Sequence, residues 1–536
     1  MRRDPHALTD RVWDVLVIGG GIHGACVAWD AALRGLTACL VERADFASAT
    51  SANTMKIVHG GLRYLQHGDV RRMRESIAER RALLRIAPHL VHPLPIVVPT
   101  YGHGWRGREA LRAALALNDL VGADRNAGLG RDQRIPRGRT ISRQECHRLV
   151  PGVEAAKLTG GAIFHDALVE NSERLLLAFL HSAAKAGAEL ANYAEVTGLR
   201  RDRHEGMRTT VTDRLTGGSL AIRARAVVNA SGPWLDGVLR LAEPGAGVGA
   251  SFARAFNVVT RPLFPHAVAL PTPDATRDRD ALVHRGHRLL FVVPWREHSL
   301  VGTGYARHDG PPGELRITEE DVSTLLGALE RACPALALGL EDVRLVHGGL
   351  LPTAGIDPAT GDPRLARHGR IVDHAGDGWP GLISVVGVKY TTARLLAERA
   401  VDRVLERLGR RPLPSVSARV PLHGGHPPGA AGEPPAPVLR NHGSAWGEVL
   451  AYLGPGEDAG DRMAVLRAEV RHAIRAEMAQ LLGDIVFRRT ELGSAGDPGP
   501  ELLRVAASAA AVEHGWSAER ERAELGEVYG RFGVPR

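Results

Sequence analysis

The sequence predicts an α/β chain with an α+β insertion: a Rossmann-like nucleotide-binding domain, a β-rich domain inserted into it, and a helical C-terminal domain. Three observations lead there. Residues 14–42 read as strand, glycine turn, helix and strand, closed by an acid. Residues 256–305 are rich in short β runs, at 257–260, 288–294 and 299–304. Beyond a Pro- and Gly-rich stretch at 410–440, residues 464–482 and 502–513 repeat apolar side chains at helical spacing. A chain of 536 residues exceeds one ordinary core, so two or three domains are required.

The opening unit is the most specific of these. The apolar run 14–18 suits a buried parallel strand, and Gly19-Gly20-Gly21-Ile22-His23-Gly24 leads into a small-residue helix at 25–34. A second apolar run, 37–41, ends at Glu42. Gly19 permits the tight turn, Gly21 lets backbone approach a pyrophosphate, and Gly24 lets the helix lie close on the sheet. The pyrophosphate then faces the N–H groups and positive dipole of the helix N-terminus. Glu42 is placed to accept a hydrogen bond from a ribose 2′-OH. Dinucleotide binding is the function this unit predicts.

Composition narrows the partners. The formal charge is +8, yet all but four of the 68 basic residues are arginines, the lysines being Lys56, Lys157, Lys185 and Lys389. That excess is diffuse and reads as a solvated basic surface. With only 4% aromatic residues there is little to stack bases on, so nucleic acid is not an expected partner. Cys26, Cys39, Cys146 and Cys333 form no C-x-x-C pair, so neither a disulfide framework nor a metal site is expected. No apolar leader and no 18-residue apolar span is readable, which predicts a cytoplasmic protein, soluble or resting on a membrane surface.

Helices are expected at 71–86, 106–123, 172–186, 318–331 and 393–408, with Gly187 ending the third and Thr318 capping the fourth. Short β segments are expected at 95–100, 196–201, 208–213, 220–223, 226–229, 343–346 and 381–386. Along this frame lie Ala49-Thr50-Ser51, the run from Lys56 to Leu65 with its His59-Gly60-Gly61-Leu62-Arg63-Tyr64-Leu65 string, and Ala226 to Trp234. The strands around Phe291–Trp295 and Leu300–Thr303, the run Gly381 to Thr392, and Ile485 to Thr490 complete the set. Through these strings the chain resembles the flavin-dependent glycerol-3-phosphate dehydrogenases and oxidases, over nearly its whole length.

The resemblance implies a discontinuous FAD-binding domain at 11–95, 150–250 and 344–410, and an antiparallel β-rich substrate domain at 96–149 and 251–343. A linker at 411–440 and a helical domain at 441–536 follow. It implies non-covalent FAD held by Gly19, Gly21, Gly24, Glu42, Thr50, Ser51, Lys56, Gly60, Ala230, Gly232, Gly387, Lys389 and Thr391. His59 is the expected base and Lys389 the cation beside the reduced flavin, while Arg63, Tyr64 and Arg394 are the expected substrate contacts. The implied reaction oxidises sn-glycerol 3-phosphate to dihydroxyacetone phosphate and passes electrons to a quinone or to oxygen. A homodimer and a peripheral contact on the inner face of the cytoplasmic membrane are compatible with it.

Three departures concern the substrate. Leu351 stands where the family has a substrate arginine, in what reads as a turn after the strand at 343–346. Gly302-Thr303-Gly304-Tyr305 lacks the family acid, and Thr260-Arg261-Pro262-Leu263 lacks a family histidine. Arg261 and His347 are the candidate replacements. A sister oxidoreductase acting on another hydroxy acid, polyol or amine therefore stands as the alternative, and a non-catalytic flavin-binding partner protein as a further one.

Overall fold

A computed structural model describes residues 1–61, 68–104, 107–154, 157–202, 206–272, 289–357, 363–411, 413–427 and 434–534. Among these residues the chain builds two sheets. The first grows from β1 (Val12–Ile18), buried over its last six residues. It pairs in parallel with β2 (Ala38–Val41) and β10 (Ser219–Asn229), and β7 (Glu189–Ala191) and β18 (Leu382–Val386) extend the parallel set on either side. β17 (Arg370–Asp373) lies antiparallel on the outside of β18.

The sequence suggested two β runs at 220–223 and 226–229, but β10 is one continuous strand. Its first half pairs antiparallel with β9 (Met207–Asp213), itself paired with β8 (Ala194–Arg201). Its second half runs parallel to β1, from Arg223 opposite Val12 to Asn229 opposite Ile18. The exposed Arg223 and Arg225 mark the crossing between the two environments, which is why the apolar pattern breaks there.

Helix α1 (Ile22–Leu33) packs on this sheet, and ten of its twelve residues are buried. It is apolar around most of its circumference because other helices flank it. Trp29 meets Phe179 of α5 (Ser172–Lys185) edge-on at 5.3 Å. Gly19 has φ +110°, and a Cβ on Gly24 would lie 1.9 Å from the Gly19 carbonyl oxygen. The turn and the close helix therefore both need glycine.

The second sheet runs β16 (Pro363–Leu365), β15 (Leu345–Ile356), β11 (Ser251–Thr260), β14 (His298–Arg307), β13 (Leu289–Trp295), β12 (Ala267–Pro271), β4 (Val91–Tyr101), β6 (Leu158–Val169) and β3 (Ile57–Val58). β5 (Arg139–Ile141) joins β6. All neighbours are antiparallel except β12 and β4. The β segment expected at 95–100 is part of β4, which begins earlier at Val91 and holds Pro93, Pro95 and Pro99 inside it. They share one parity, so their missing N–H groups fall on one side of the strand and leave its ladder with β6 intact. β6 belongs to this second sheet, although the expected FAD-binding segment began at residue 150. β15 likewise runs straight through the expected turn at 347–352, because β11 pairs with it from Val259–Leu345 to Ser251–Thr353.

Around this sheet lie α2 (Val70–Ile86), α3 (Arg108–Val121), α4 (Arg143–Leu149) and α7 (Glu319–Ala332), while α6 (Leu235–Ala242) packs on the first sheet beside β8. Thr318 and Asp321 cap α7 reciprocally, at 3.2 and 2.9 Å. After α8 (Ala393–Arg407), residues 413–427 form a packed strap where a linker was expected. The Leu422 N–H donates to the Ile86 carbonyl at 2.8 Å, Ser415 bonds Asp30, and Ser417 accepts from Arg394. The C-terminal helices are α9 (Ala436–His442), α10 (Trp446–Leu450), α11 (Arg462–Glu477), α12 (Pro500–His514) and α13 (Ala518–Tyr529), with a π-helical stretch at Ile485–Arg489. Among the described residues no helix is long and apolar enough to cross a membrane.

Candidate active site

A cavity of about 1380 Å³ opens where the carboxyl ends of β1, β2, β10 and β18 meet the inner face of the second sheet. This is where ligands bind in open parallel sheets, and the volume exceeds that of a drug-sized ligand site. Gly19 and Gly21 line it from the β1–α1 turn, Glu42 from the end of β2, Ala230 and Gly232 from the end of β10, and Gly387, Lys389 and Thr391 from the turn into α8. Gly21 caps α1 with no side chain of its own, so the helix N-terminus faces the cavity.

Neighbouring groups fix this cradle. The Glu42 carboxylate accepts from the Gly20 N–H at 2.6 Å and the Ala44 N–H at 2.9 Å, each oxygen keeping a second lone pair. Burial pushes its pKa up, and those two N–H donors pull against the shift. Ser51 accepts from the Ile22 N–H at 3.0 Å. Thr50 accepts from the Leu350 N–H at 3.0 Å and donates to the Leu350 carbonyl at 3.2 Å, which ties the nucleotide side to β15.

His59 enters from the chain after β3. Its Nδ1 lies 3.0 Å from Asp166 Oδ2, while Asp166 Oδ1 accepts from the Gly60 N–H at 2.6 Å and from Arg80 at 2.8 Å. Burial opposes the Asp166 charge, but His59, Arg80 and Gly60 outweigh it and hold the pKa below the usual value. An ionised Asp166 is placed to accept a hydrogen bond from an Nδ1–H of the ring, which leaves Nε2 clear of that contact. From the second sheet come Asn257, Thr303, Tyr305, Gly349 and Leu351, with Thr303 donating to Asn257 Oδ1 at 2.9 Å.

Several expected contacts lie elsewhere. Ile57 and His59 line the cavity, and Lys56 and Gly60 do not, Lys56 turning off the strand with φ +57°. Lys56 bonds Glu173 and Ser172 at 3.0 Å each, and burial lowers its pKa. A Cβ on Gly60 would strike the Arg80 guanidinium. Arg394 clamps Glu79, Glu398 and Ser417 together instead of facing the cavity. Arg261 donates to the Leu336 carbonyl at 2.7 Å, near Asp342. His347 is buried, with Nε2 3.1 Å from the Ser494 carbonyl. Neither replaces the missing arginine, and Leu351 presents an apolar wall. Arg63 and Tyr64 lie outside the described residues.

The sequence reading missed Arg72, Arg364 and Arg367, which bring cationic side chains to the cavity, and Asp166, which holds His59. In a chain this rich in arginine, nothing in the sequence set those three apart.

Residues 14–399 match the model of the FAD-dependent oxidoreductases, and residues 415–521 match the C-terminal domain of alpha-glycerophosphate oxidase. A glycerol-3-phosphate dehydrogenase of Synechocystis is 33% identical, covering 92% of this chain and 91% of that protein. Glycerol-3-phosphate dehydrogenase 1 of Mycobacterium tuberculosis is 34% identical over 90% and 91%. The glycerol-3-phosphate dehydrogenase of Bacillus halodurans, solved with FAD, shares the fold at a TM-score of 0.74 and 24% identity, covering 98% of this chain and 95% of its own. The L-alpha-glycerophosphate oxidase of Mycoplasma pneumoniae shares it at 0.52 and 17%, over 77% and 99%. A glycine-turned helix N-terminus, a fixed acid after β2 and these likenesses agree, and the chain belongs to the FAD-dependent glycerol-3-phosphate dehydrogenase and oxidase family.

Proposed function

We propose that this oxidoreductase converts sn-glycerol 3-phosphate to dihydroxyacetone phosphate. The observation that carries the reading is the contact between buried Asp166 and half-buried His59, which holds an imidazole in the cavity that Lys389 and the glycine cradle also line. When bound, FAD supplies the acceptor for the hydride leaving the alcohol carbon. His59 takes the hydroxyl proton at Nε2, and Asp166 steadies the imidazolium that results. Lys389 puts positive charge on the wall where negative charge grows as the cofactor is reduced. With Leu351 apolar, the phosphate falls to Arg367 and its neighbours Arg364 and Arg72, whose guanidinium forks suit phosphate oxygens.

Leu351 also favours a second reading, oxidation of another hydroxy acid, polyol or amine by the same base and cofactor. Anaerobic mixing of the holoprotein with glycerol 3-phosphate, glycerol, 2-hydroxy acids and amines separates them. Bleaching of the flavin by glycerol 3-phosphate alone supports the first reading. Bleaching only by an unphosphorylated donor supports the second, and bleaching by none leaves a flavin-binding protein without this activity.

A quinone is the proposed electron acceptor, reached at a lipid surface. Leu117 and Leu120 of α3 are exposed, Leu120 by 74%, with Ala113 and Ala116 exposed on the same helical face and Arg112 beside them. Turnover with a quinone analogue in place of oxygen, and flotation with anionic liposomes, test that part.

A further inference from the structure

Arg80, in the middle of α2, is buried behind the His59 side of the cavity and does not itself line it. Its Nη1 donates to Asp166 Oδ1 and to the His165 carbonyl, at 2.8 Å each. The guanidinium lies against the backbone of Gly60, where an added Cβ would fall 1.9 Å from Nη1 and 2.1 Å from Cζ. A side chain there would push the arginine off the carboxylate, so glycine at that position is what lets the contact form. β3 pairs Val58 with Ala167, so the next step along sets His59 opposite Asp166. With Oδ1 taken by Arg80 and the Gly60 N–H, Oδ2 meets His59 Nδ1 at 3.0 Å. Phe291 packs on the imidazole, ring centres 5.6 Å apart. Glu79, the residue before Arg80, binds Arg394 of α8 and so anchors α2.

The charged groups around the pair are few among the described residues. His59 and Arg80 face the Asp166 carboxylate, and Arg125 faces Arg80 while bound to Asp119 at 3.2 Å. His165 stands beside Asp166 on β6, with Arg139 towards it from β5.

We infer that Arg80 is a positioning residue for the reaction, its guanidinium pinning Asp166 Oδ1 so that Oδ2 stays turned to His59 Nδ1. The inference rests on His59 being the base, but not on which donor is oxidised. Its positive charge also opposes uptake of a proton by the pair, so a neutral side chain at position 80 lets that proton bind at higher pH. A buried arginine kept only to satisfy Asp166 would matter for folding and leave the pH dependence of flavin reduction where it was.

The test follows anaerobic reduction of the bound flavin across pH in wild type, H59N, R80K, R80Q and R80M, using whichever donor of the panel above bleaches it. Wild type should lose rate on the acid side, and H59N should abolish that limb. R80Q and R80M should move the limb up by about one pH unit, which is about a tenfold lower rate at a fixed acid pH. R80K keeps the charge and should hold the limb close to its wild-type position. A limb that stays put in the neutral variants overturns the inference, as does an equal shift in R80K. Loss of the fold in both neutral variants, with R80K intact, would make Arg80 a structural ion pair and overturn it too. A wild-type limb that H59N leaves in place, or a flavin that no donor bleaches, would instead refute the base reading itself, and the inference with it.

Discussion

Arg489, from the π-helical stretch of the C-terminal region, holds both oxygens of Asp45, in the loop after β2, at 2.7 and 2.8 Å. Both side chains are buried, and Arg488 adds a further contact to Asp45. Arg489 also donates to the Glu477 carbonyl, so one guanidinium joins the C-terminal helices to a loop whose neighbouring residues line the cavity. Removing Arg489 leaves the buried Asp45 charge with only Arg488 and Asn192 to hold it. R489M should cost about 3–5 kcal/mol of stability, and D45L/R489M together should cost clearly less than the sum of the single changes. Urea unfolding of the holoprotein measures both.

His59 and Asp166 act as one unit. H59N should lower kcat roughly 10²–10⁴-fold with KM little changed, the usual contribution of a positioned base. D166N should fall in the same direction, and the double variant should be no worse than the poorer single. Stopped-flow reduction of the flavin reads this directly, while full additivity would mean the two do not cooperate.

Arg367 and Leu351 share the cavity wall. R367A should raise KM for glycerol 3-phosphate about 10–100-fold, the loss of a charge-assisted bond, and leave KM for glycerol unaltered. L351R in that background should restore part of the affinity. Equal effects on both substrates would remove Arg367 from phosphate recognition.

Lys389 should hold the flavin potential up. K389M is expected to lower the two-electron midpoint by about 30–60 mV, the equivalent of roughly 1.4–3 kcal/mol of lost stabilisation of the reduced state. Dye-coupled reduction measures it, and a potential that stays put would take Lys389 away from the reduced cofactor.

Acid should loosen the junction of α5 with the C-terminal helices. His181 lies 3.0 Å from Glu477, His442 meets Arg174, and Arg174 takes both Glu477 oxygens at 2.7 and 2.8 Å, with His472, His423 and Glu448 close by. Burial pushes the pKa of His181 down to about 3, against the pull of Glu477, and lowers those of His442 and His472. The unfolded chain protonates these histidines near pH 6.5, so below that pH it binds more protons than the folded one. Each histidine should cost stability as the pH falls below 6.5, at up to about 1.4 kcal/mol per pH unit and for His181 down to about pH 3. Glu469, pushed up to about 8 by burial close to Glu477 and Arg174, opposes that slope between about pH 8 and 4.5. Urea midpoints at pH 8, 6.5 and 5 test this, and H181Q should flatten the slope by one such group.

The nucleotide side of the site was legible because its demands are local. Gly19, Gly24 and Glu42 answer a turn, a close helix and a fixed acid within thirty residues, and no distant partner is needed to read them. The substrate side was less so. Whether Lys56 or Ile57 faces the cavity depends on the phase of a two-residue strand, and that phase is set by β6, more than a hundred residues later. The turn expected at Leu351 vanished for the same reason, since β11 keeps β15 extended through the paired glycines. Arg394 looked like a ligand for anions until α2 supplied Glu79.

β10 has a bearing on the order of assembly. Its meander with β8 and β9 needs only neighbouring sequence, whereas its parallel partners β1 and β18 arrive from far on either side. Local pairing closes small loops and distant pairing large ones, so the meander should form early and the parallel ladder late. The cradle stays open on one side until β18 docks and delivers Gly387 and Lys389. A nascent chain should therefore be unable to retain flavin until about residue 392 has left the ribosome, and cofactor capture becomes a late, nearly post-translational event.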